Sequence, residues 1–467
     1  MTSDCGGCSY TYAKKDKSLR TKPNIKKATN VYRGAFLIAA CSILVGSYFC
    51  YDMPGVLNRE LRQHMEIDLD DWQYKVNLLF SVTSLPNIVF PFISGILIDQ
   101  IGSKFALTLF TMILCIGHAL FALGISLKTF WIMCLGRTLF GIGSGSSEIV
   151  QNKLTTDWFR GSLLAFALAL NLTFDRWAAA GDAIVSPRLY HYFGNISMVA
   201  WFGLGMCLLS ALGSSLLIHM DSPRARIQAG VNLENKGNIA DGNRKIRFKD
   251  ILNLKPAFWL LCILAVTLYG SVQPFLYISS DYLQSEKYPG QPETAGTVMS
   301  IPSLLSSFGT PLCGLIIDRI GYHGELMTFS ALIIMVVHSL LAFTSITPVI
   351  PYIMLGLGYS IFAAALWPSV PGLVHERQLG TGIGISVISF NLAITGVPMI
   401  IAKIRVWTGN FLAIQVFFII LAFCGFLAGI LLCSIQSHTK ETNNDDSLES
   451  PTSTGEAHDR MPLLVNG

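Results

Sequence analysis

Charge is what this sequence has least of. Asp, Glu, Lys and Arg make up 13% of its 467 residues, about half the share of an ordinary soluble domain. With 52% hydrophobic residues, that shortage leaves too little polar surface to keep a globule of this size in water. The formal net charge is only +4, and no nucleic-acid partner is expected of it. No cleavable apolar leader is expected either, because the first 30 residues are polar and basic. The first apolar run is therefore expected to direct its own insertion. The eleven Cys imply no disulfide framework, since most sit inside apolar runs, where a thiol packs as a small hydrophobe. Cys5 and Cys8 make one C-x-x-C in a polar tail, and a lone pair does not complete a zinc site, so no metal is expected. No arrangement of nucleophile, base and oxyanion donor is visible, which argues against an enzyme and leaves no cofactor to expect.

Long apolar runs are what the chain has in abundance. Twelve lie at about 34–52, 76–98, 105–124, 129–150, 162–185, 198–219, 257–280, 295–318, 325–345, 349–371, 379–402 and 412–435. Each is long enough to cross a hydrocarbon core of about 30 Å as a helix. The chain thus reads as an all-α membrane protein. Of the 33 Lys and Arg, most fall in segments that share one side when both termini are cytoplasmic. Only Arg59, Arg62, Lys75, Lys128, Arg188, Lys287, Lys403 and Arg405 fall on the other side. Positive charge gathers on the cytoplasmic side, so both termini are expected in the cytosol. Arg137 and Arg176 remain, and both lie inside spans.

The sequence repeats itself. The turn after the second span reads 95-GILIDQIGSK-104, and the turn after the eighth reads 314-GLIIDRIGYH-323. Asn171 of the fifth span has its counterpart in Asn391 of the eleventh. Twelve spans are therefore six plus six. The expected organisation is an N-tail (1–33), a six-helix bundle (34–219), a cytoplasmic linker (220–256), a second six-helix bundle (257–435) and a disordered C-tail (436–467). Parallel repeats of this kind build transporters with a site between two rocking halves. In the repeated turn, Gly95 and Gly314 allow close helix approach, Asp99 and Asp318 can pair with basic groups or helix ends, and Gly102 and Gly321 permit the tight turn. Contacts of this kind would gate one face of the bundle.

This G-x-x-x-D-x-x-G turn, present twice at matching places, is similar to the signature turn of the major facilitator superfamily. Its usual final basic pair is reduced to Lys104 in one copy and His323 in the other. Further stretches resemble the major-facilitator-domain-containing protein 1 family of lysosomal transporters: 46-GSYFCYDMP-54, 136-GRTLFGIG-143, 151-QN-152, 158-WFRG-161, 355-LGLGYS-360, 365-ALWPSV-370 and 376-ERQLGTGIG-384. Arg176 falls at the expected distance from WFRG. The resemblance implies facilitated export of small peptides, chiefly dipeptides, from the lysosome. It also implies a single-span, heavily glycosylated accessory protein. In the family a Glu follows G-I-G by two residues, where this chain has Gly145. Here the carboxylate is Glu148, on the same helix face about 4.5 Å further along.

Charges inside a span face the bundle interior or a water-filled cavity, and are functional candidates by default. Arg176 lies roughly 20 Å along the fifth helix, at about 1.5 Å per residue, too deep to snorkel. Its guanidinium can hold a substrate carboxylate by two parallel hydrogen bonds; the alternative is a packing pair with Asp175, Glu148 or Asp52. Asp175 can pair with a helix, hold a substrate amine or carry a proton, and Asp182 is expected at the membrane interface. Tyr48, Tyr51 and Asp52 on the first span, Tyr269, Gln273 and Tyr277 on the seventh, and Tyr359 and Trp367 on the tenth complete the cavity candidates with Asn391. Pro274 can kink the seventh helix. His118 and His338 are expected to pack.

Asn171 begins a sequon that a buried helix keeps out of reach, so Asn195 is the plausible glycan acceptor. The tail motif 459-DRMPLL-464 places Asp459, Leu463 and Leu464 in an acidic dileucine pattern, an address for endosomes and lysosomes. Three readings follow: a lysosomal uniporter for dipeptides or similar zwitterions, an organic-anion or sugar carrier, or a non-transporting sensor or subunit of the same fold. The partners expected are a small-molecule substrate and membrane lipid.

Overall fold

Nearly every described residue is helical, as hydrocarbon requires of a backbone that it cannot hydrogen-bond. The structure is a computed structural model that describes residues 23–159, 163–221, 254–374 and 379–448. The dileucine motif and nearly all of the linker lie outside the described residues.

Span 1 is a broken helix made of α1 (Pro23–Ser42), α2 (Val45–Tyr51) and α3 (Met53–Val56), followed by the short α4 (Asn58–Met65). Span 2 joins α5 (Leu69–Ser84) through a 3-10 turn at Leu85–Ile88 to α6 (Phe90–Ile101). Pro86 and Pro91 sit at this junction, and the two parts meet at a bend of 48°. Spans 3 to 6 are α7 (Ser103–Ser126), α8 (Phe130–Trp158), α9 (Leu164–Phe193) and α10 (Ile196–Met220). Spans 7 to 12 are α11 (Pro256–Tyr282), α12 (Pro292–Ile320), α13 (His323–Phe343), α14 (Val349–Leu373), α15 (Leu379–Thr408) and α16 (Phe411–Leu448). Among the described residues, helix thus reaches from Pro23 to Leu448, beyond the apolar runs at both ends.

Among the described residues, nine helices are long and apolar enough to cross a membrane, or ten with the bent span 2. The two that fall short, α8 and α9, have 29 and 30 residues. Length does not fail them. They carry Arg137, Glu148, Asp175, Arg176 and Asp182, and helices that line an interior can hold such groups.

Within the first half, α7 runs along α8. A Cβ on Gly117 would lie 2.3 Å from the Phe140 nitrogen, and one on Gly136 2.4 Å from the Phe121 nitrogen. Glycine alone permits this approach, which replaces a hydrophobic driving force with backbone packing. The halves meet where α5 packs on α15, α9 on α12, and α3 on α11.

The repeated turns lie at one end of the bundle. Gly102 and Gly321 take φ of +83° and +74°, the positive values that a glycine turn accommodates. Gly95 and Gly314 depart from expectation: a Cβ on either would meet nothing within 4 Å. The close approach assigned to them is not made, because both face open space in this conformation. The side chains of Asp99 and Asp318 lie outside what is described. Lys104 reaches Asp221 of its own half at 4.0 Å, where Trp158 also donates to that carboxylate at 2.8 Å. His323 turns back to the Gly321 carbonyl at 3.2 Å.

Candidate functional site

At the end away from the repeated turns, the two halves are sealed by a polar seam. Asp281 at the end of α11 accepts from Arg59 Nε of α4 at 3.1 Å and from Gln73 of α5 at 3.3 Å. Arg59 also donates to Ser285. Ser280 donates to the Val56 carbonyl at 2.8 Å, and Gln284 lies 3.5 Å from Glu60. Backbones touch beside these bonds. A Cβ on Gly55 would lie 2.5 Å from the Tyr277 carbonyl, and one on Gly296 2.1 Å from that of Ala183. Tyr277 belongs to this seal rather than to an open cavity: it is buried and stacks on Phe80 with ring centroids 3.9 Å apart and planes 2° from parallel. The sequence reading missed Arg59, Gln73 and Asp281, because polar residues at the ends of spans are ordinary membrane-boundary residues until their partners are known.

Glu60 is buried in this seam, and its Oε2 has no partner. Burial pushes its carboxyl above the usual carboxylate range. Nearby, the Lys128 ammonium holds the exposed Glu66 below that range.

Midway along the helices, Arg176 donates to the hydroxyl of Tyr359, from the other half. Its guanidinium carbon stands 4.7 Å from the centre of the Tyr359 ring, close enough for a cation–π attraction. Tyr269 meets Tyr359 edge-on at 6.0 Å and lies 5.1 Å from Phe390, which in turn meets Trp367 at 6.1 Å. Glu148 and Asp175 are within electrostatic reach of Arg176, and Tyr48 senses all three. Asp175 is 3% exposed, and its Oδ1 has no hydrogen-bond partner. Neither carboxylate is among the salt bridges of the described residues, which leaves both uncommitted beside a half-buried cation. Asp52 is half-buried and within electrostatic reach of Arg137 and Arg176. The structure therefore gathers Arg176, Glu148, Asp175, Tyr48, Tyr269, Tyr359 and Trp367 around one place.

Other candidates go elsewhere. Tyr51 bonds Ser84 at 2.8 Å, and Asn391 donates to the Val387 carbonyl of its own helix at 2.9 Å. Gln273 is half-buried, with no hydrogen bond among those described. Asp182, expected at the interface, is buried within the protein: it is 0% exposed and accepts from Ser186 at 2.5 Å. Asn171 is buried, donating to Thr155 at 3.1 Å and accepting from Cys41 at 3.2 Å. Asn195 is exposed, and its Oδ1 caps α10 by accepting from Ser197 at 2.9 Å. His118 and His338 pack, bonding Ala200 at 3.1 Å and Gln415 at 2.7 Å.

Arg137 has a role that the sequence did not disclose. It is 0% exposed and donates to the carbonyls of Cys50 at 3.0 Å and Tyr51 at 2.7 Å. Rings of Tyr51, Phe80, Phe121 and Phe140 surround it at 5.1 to 5.8 Å. Among the described residues no carboxylate is ion-paired to it; carbonyl dipoles and aromatic faces hold the charge directly, with Asp52 and Asp182 within electrostatic reach.

A helical membrane protein whose two halves enclose buried charge at mid-depth, sealed at one end, has the build of an alternating-access transporter. The chain matches the Major Facilitator Superfamily profile over residues 35–398 and 290–456, and it belongs to that superfamily; it is a transporter rather than an enzyme. It is 30% identical over 413 residues to the "Lysosomal dipeptide transporter MFSD1" of Homo sapiens, covering 86% of each chain. It is 25% identical to the Gallus gallus protein of the same name, over 83% of this chain and 82% of that one. Among solved structures, the nucleoside transporter NupG superposes with a TM-score of 0.66 at 13% identity, over 86% of this chain and 99% of that one. The proton:xylose symporter XylE gives 0.65 at 13%, over 87% and 96%. These two show the fold alone.

Proposed function

We propose that the protein is a lysosomal uniporter that exports dipeptides, or similar small amino-acid-derived zwitterions, by alternating access. The observation that carries this reading is the place of Arg176. It bridges to Tyr359 across the two halves, with Glu148 and Asp175 near it and not ion-paired to it. A zwitterion needs this polarity: the guanidinium holds its carboxylate by two hydrogen bonds, and Glu148 or Asp175 takes its amine. Tyr48, Tyr269, Tyr359 and Trp367 supply aromatic walls, with Tyr51, Asp52, Gln273, Tyr277 and Asn391 further from the charge.

In this proposal both termini and the repeated turns face the cytosol, and the Arg59–Asp281 seam closes the lumenal end. The two bundles are 34–219 and 257–435, with the linker and both tails cytoplasmic. Lysosomal residence is supported by its relatives, which are lysosomal transporters by name, and the tail motif Asp459, Leu463 and Leu464 would be its address. Asn195 would be its glycan acceptor. A glycosylated single-span partner would shield a chain with so few acceptors of its own.

Uptake of radiolabelled dipeptides into proteoliposomes tests the substrate. Flux that saturates with dipeptide and vanishes in Arg176→Ala is expected. Unchanged flux in that variant removes the site, and equal inhibition by amino-blocked peptides points to an organic-anion carrier instead.

A further inference from the structure

We propose that Cys50, His118 and Cys207 form a binding site for a thiophilic divalent cation of the zinc class, inside the first half and apart from the transport cavity. The three residues come from α2, α7 and α10, and their ligand atoms lie within 4.8 Å of one another. All are 0% exposed.

The spacing suits one ion. The two sulfurs are 3.7 Å apart, and two thiolates on one tetrahedral zinc, each at about 2.3 Å, stand about 3.8 Å from each other. The imidazole is already oriented, with Nε2 bonded to the Ala200 carbonyl at 3.1 Å; outer bonds to backbone carbonyls are how proteins fix ligating histidines. Its Nδ1 is buried without a partner, which leaves a ring nitrogen free for an ion. Gly203 keeps the neighbourhood clear, because a Cβ there would lie 2.6 Å from His118 Nε2 and 3.1 Å from Cys50 Sγ.

Charge selects the class of ion. Two thiolates and a neutral imidazole around a divalent cation form a neutral complex, the kind that an apolar surrounding accepts at least expense. Both thiol protons leave as the ion binds. Soft sulfur ligands favour zinc over magnesium or calcium. A bound ion would tie α2, α7 and α10 together beside the break in span 1, stiffening the first half.

The test uses the full chain with Cys5 and Cys8 replaced by Ser, purified in detergent and titrated with Zn2+ and, separately, Cd2+. We expect about one equivalent bound with a rise in melting temperature, and a Cd–thiolate charge-transfer band. Cys50→Ala and Cys207→Ala should each lose both signals. No thiolate band with Cd2+ overturns the site whatever the variants do, and so does a band and thermal shift that persist in Cys207→Ala.

Discussion

Arg137 donates to the carbonyl of Cys50 at 3.0 Å, and Cys50 is the residue whose helical donor, four positions on, would be Pro54. Proline has no N–H to give. Gly55, the next donor, bonds Asp52 instead at 2.9 Å, so the Tyr51 carbonyl is also freed. The guanidinium takes up both, which lets span 1 break just before the seal without leaving buried acceptors bare. Arg137→Gln should therefore destabilise the protein by about 3 kcal/mol, read as a fall in the melting temperature of the detergent-purified chain. Arg137→Lys should fall between the two, because an ammonium lacks the planar fork. Equal stability of all three would refute the anchoring role.

Arg176 contrasts with Arg137 in the same half. Its one described hydrogen bond goes to a hydroxyl in the other half, and it remains half-buried. Arg176→Lys should keep the fold and lose most transport, since one point charge replaces a bidentate fork. Tyr359→Phe keeps the ring under the guanidinium and loses only the hydroxyl. About a tenfold rise in KM is expected, equivalent to about 1.4 kcal/mol, with little change in melting temperature. A collapse of folding in Tyr359→Phe would mean that the bond is structural.

How much of this was legible in the sequence depends on distance along the chain. Span lengths, the repeated turn and the six-plus-six plan are local patterns, and they could be read directly. Arg176 was legible because a charge in an apolar run is conspicuous. Its tie to Tyr359 needs two halves to meet, which no periodicity encodes. Asp281 and Arg59 failed for the same reason, lying 222 positions apart. The burial of Asp182 is likewise set by its neighbours in space rather than by its own run. Gly95 and Gly314 show a further limit: a sequence describes every state of a transporter together, whereas one structure shows a single state.

The seal at the end away from the turns should be adjustable. Arg59 is 33% exposed and Asp281 5%, a partly screened pair worth about 1 kcal/mol. Asp281→Asn should then move the balance of open and sealed forms about fivefold toward opening. A cysteine introduced at Ser300, which is buried one turn along α12 from Gly296, would be alkylated faster by a membrane-impermeant reagent in that background. Gly296→Leu should act in the same direction and more strongly, because its first side-chain atom has no room against Ala183. Slower labelling in either variant would contradict the sealing role.

Acidity should strengthen the same seal through Glu60. Burial raises its carboxyl above the usual value, opposed by hydrogen bonds to its own backbone and Gln284 and by the Arg59 charge, and reinforced by Asp281. The sealed form therefore holds this proton more tightly than a form in which Glu60 meets water. Its contribution is fully present below the ordinary carboxylate value and is lost as pH rises through the raised one. Glu66 runs the other way: its Lys128 partner lowers it, so that contribution is present above the ordinary value and lost as pH falls through the lowered one. Glu66 is exposed, and its pair is screened. Glu60→Gln imitates the protonated acid at every pH. Melting temperatures of wild type and Glu60→Gln, measured from acid to neutral pH, should coincide at the acid end and separate as pH rises, the variant becoming the more stable. A difference that stays constant across the range would show that Glu60 does not titrate in the seal.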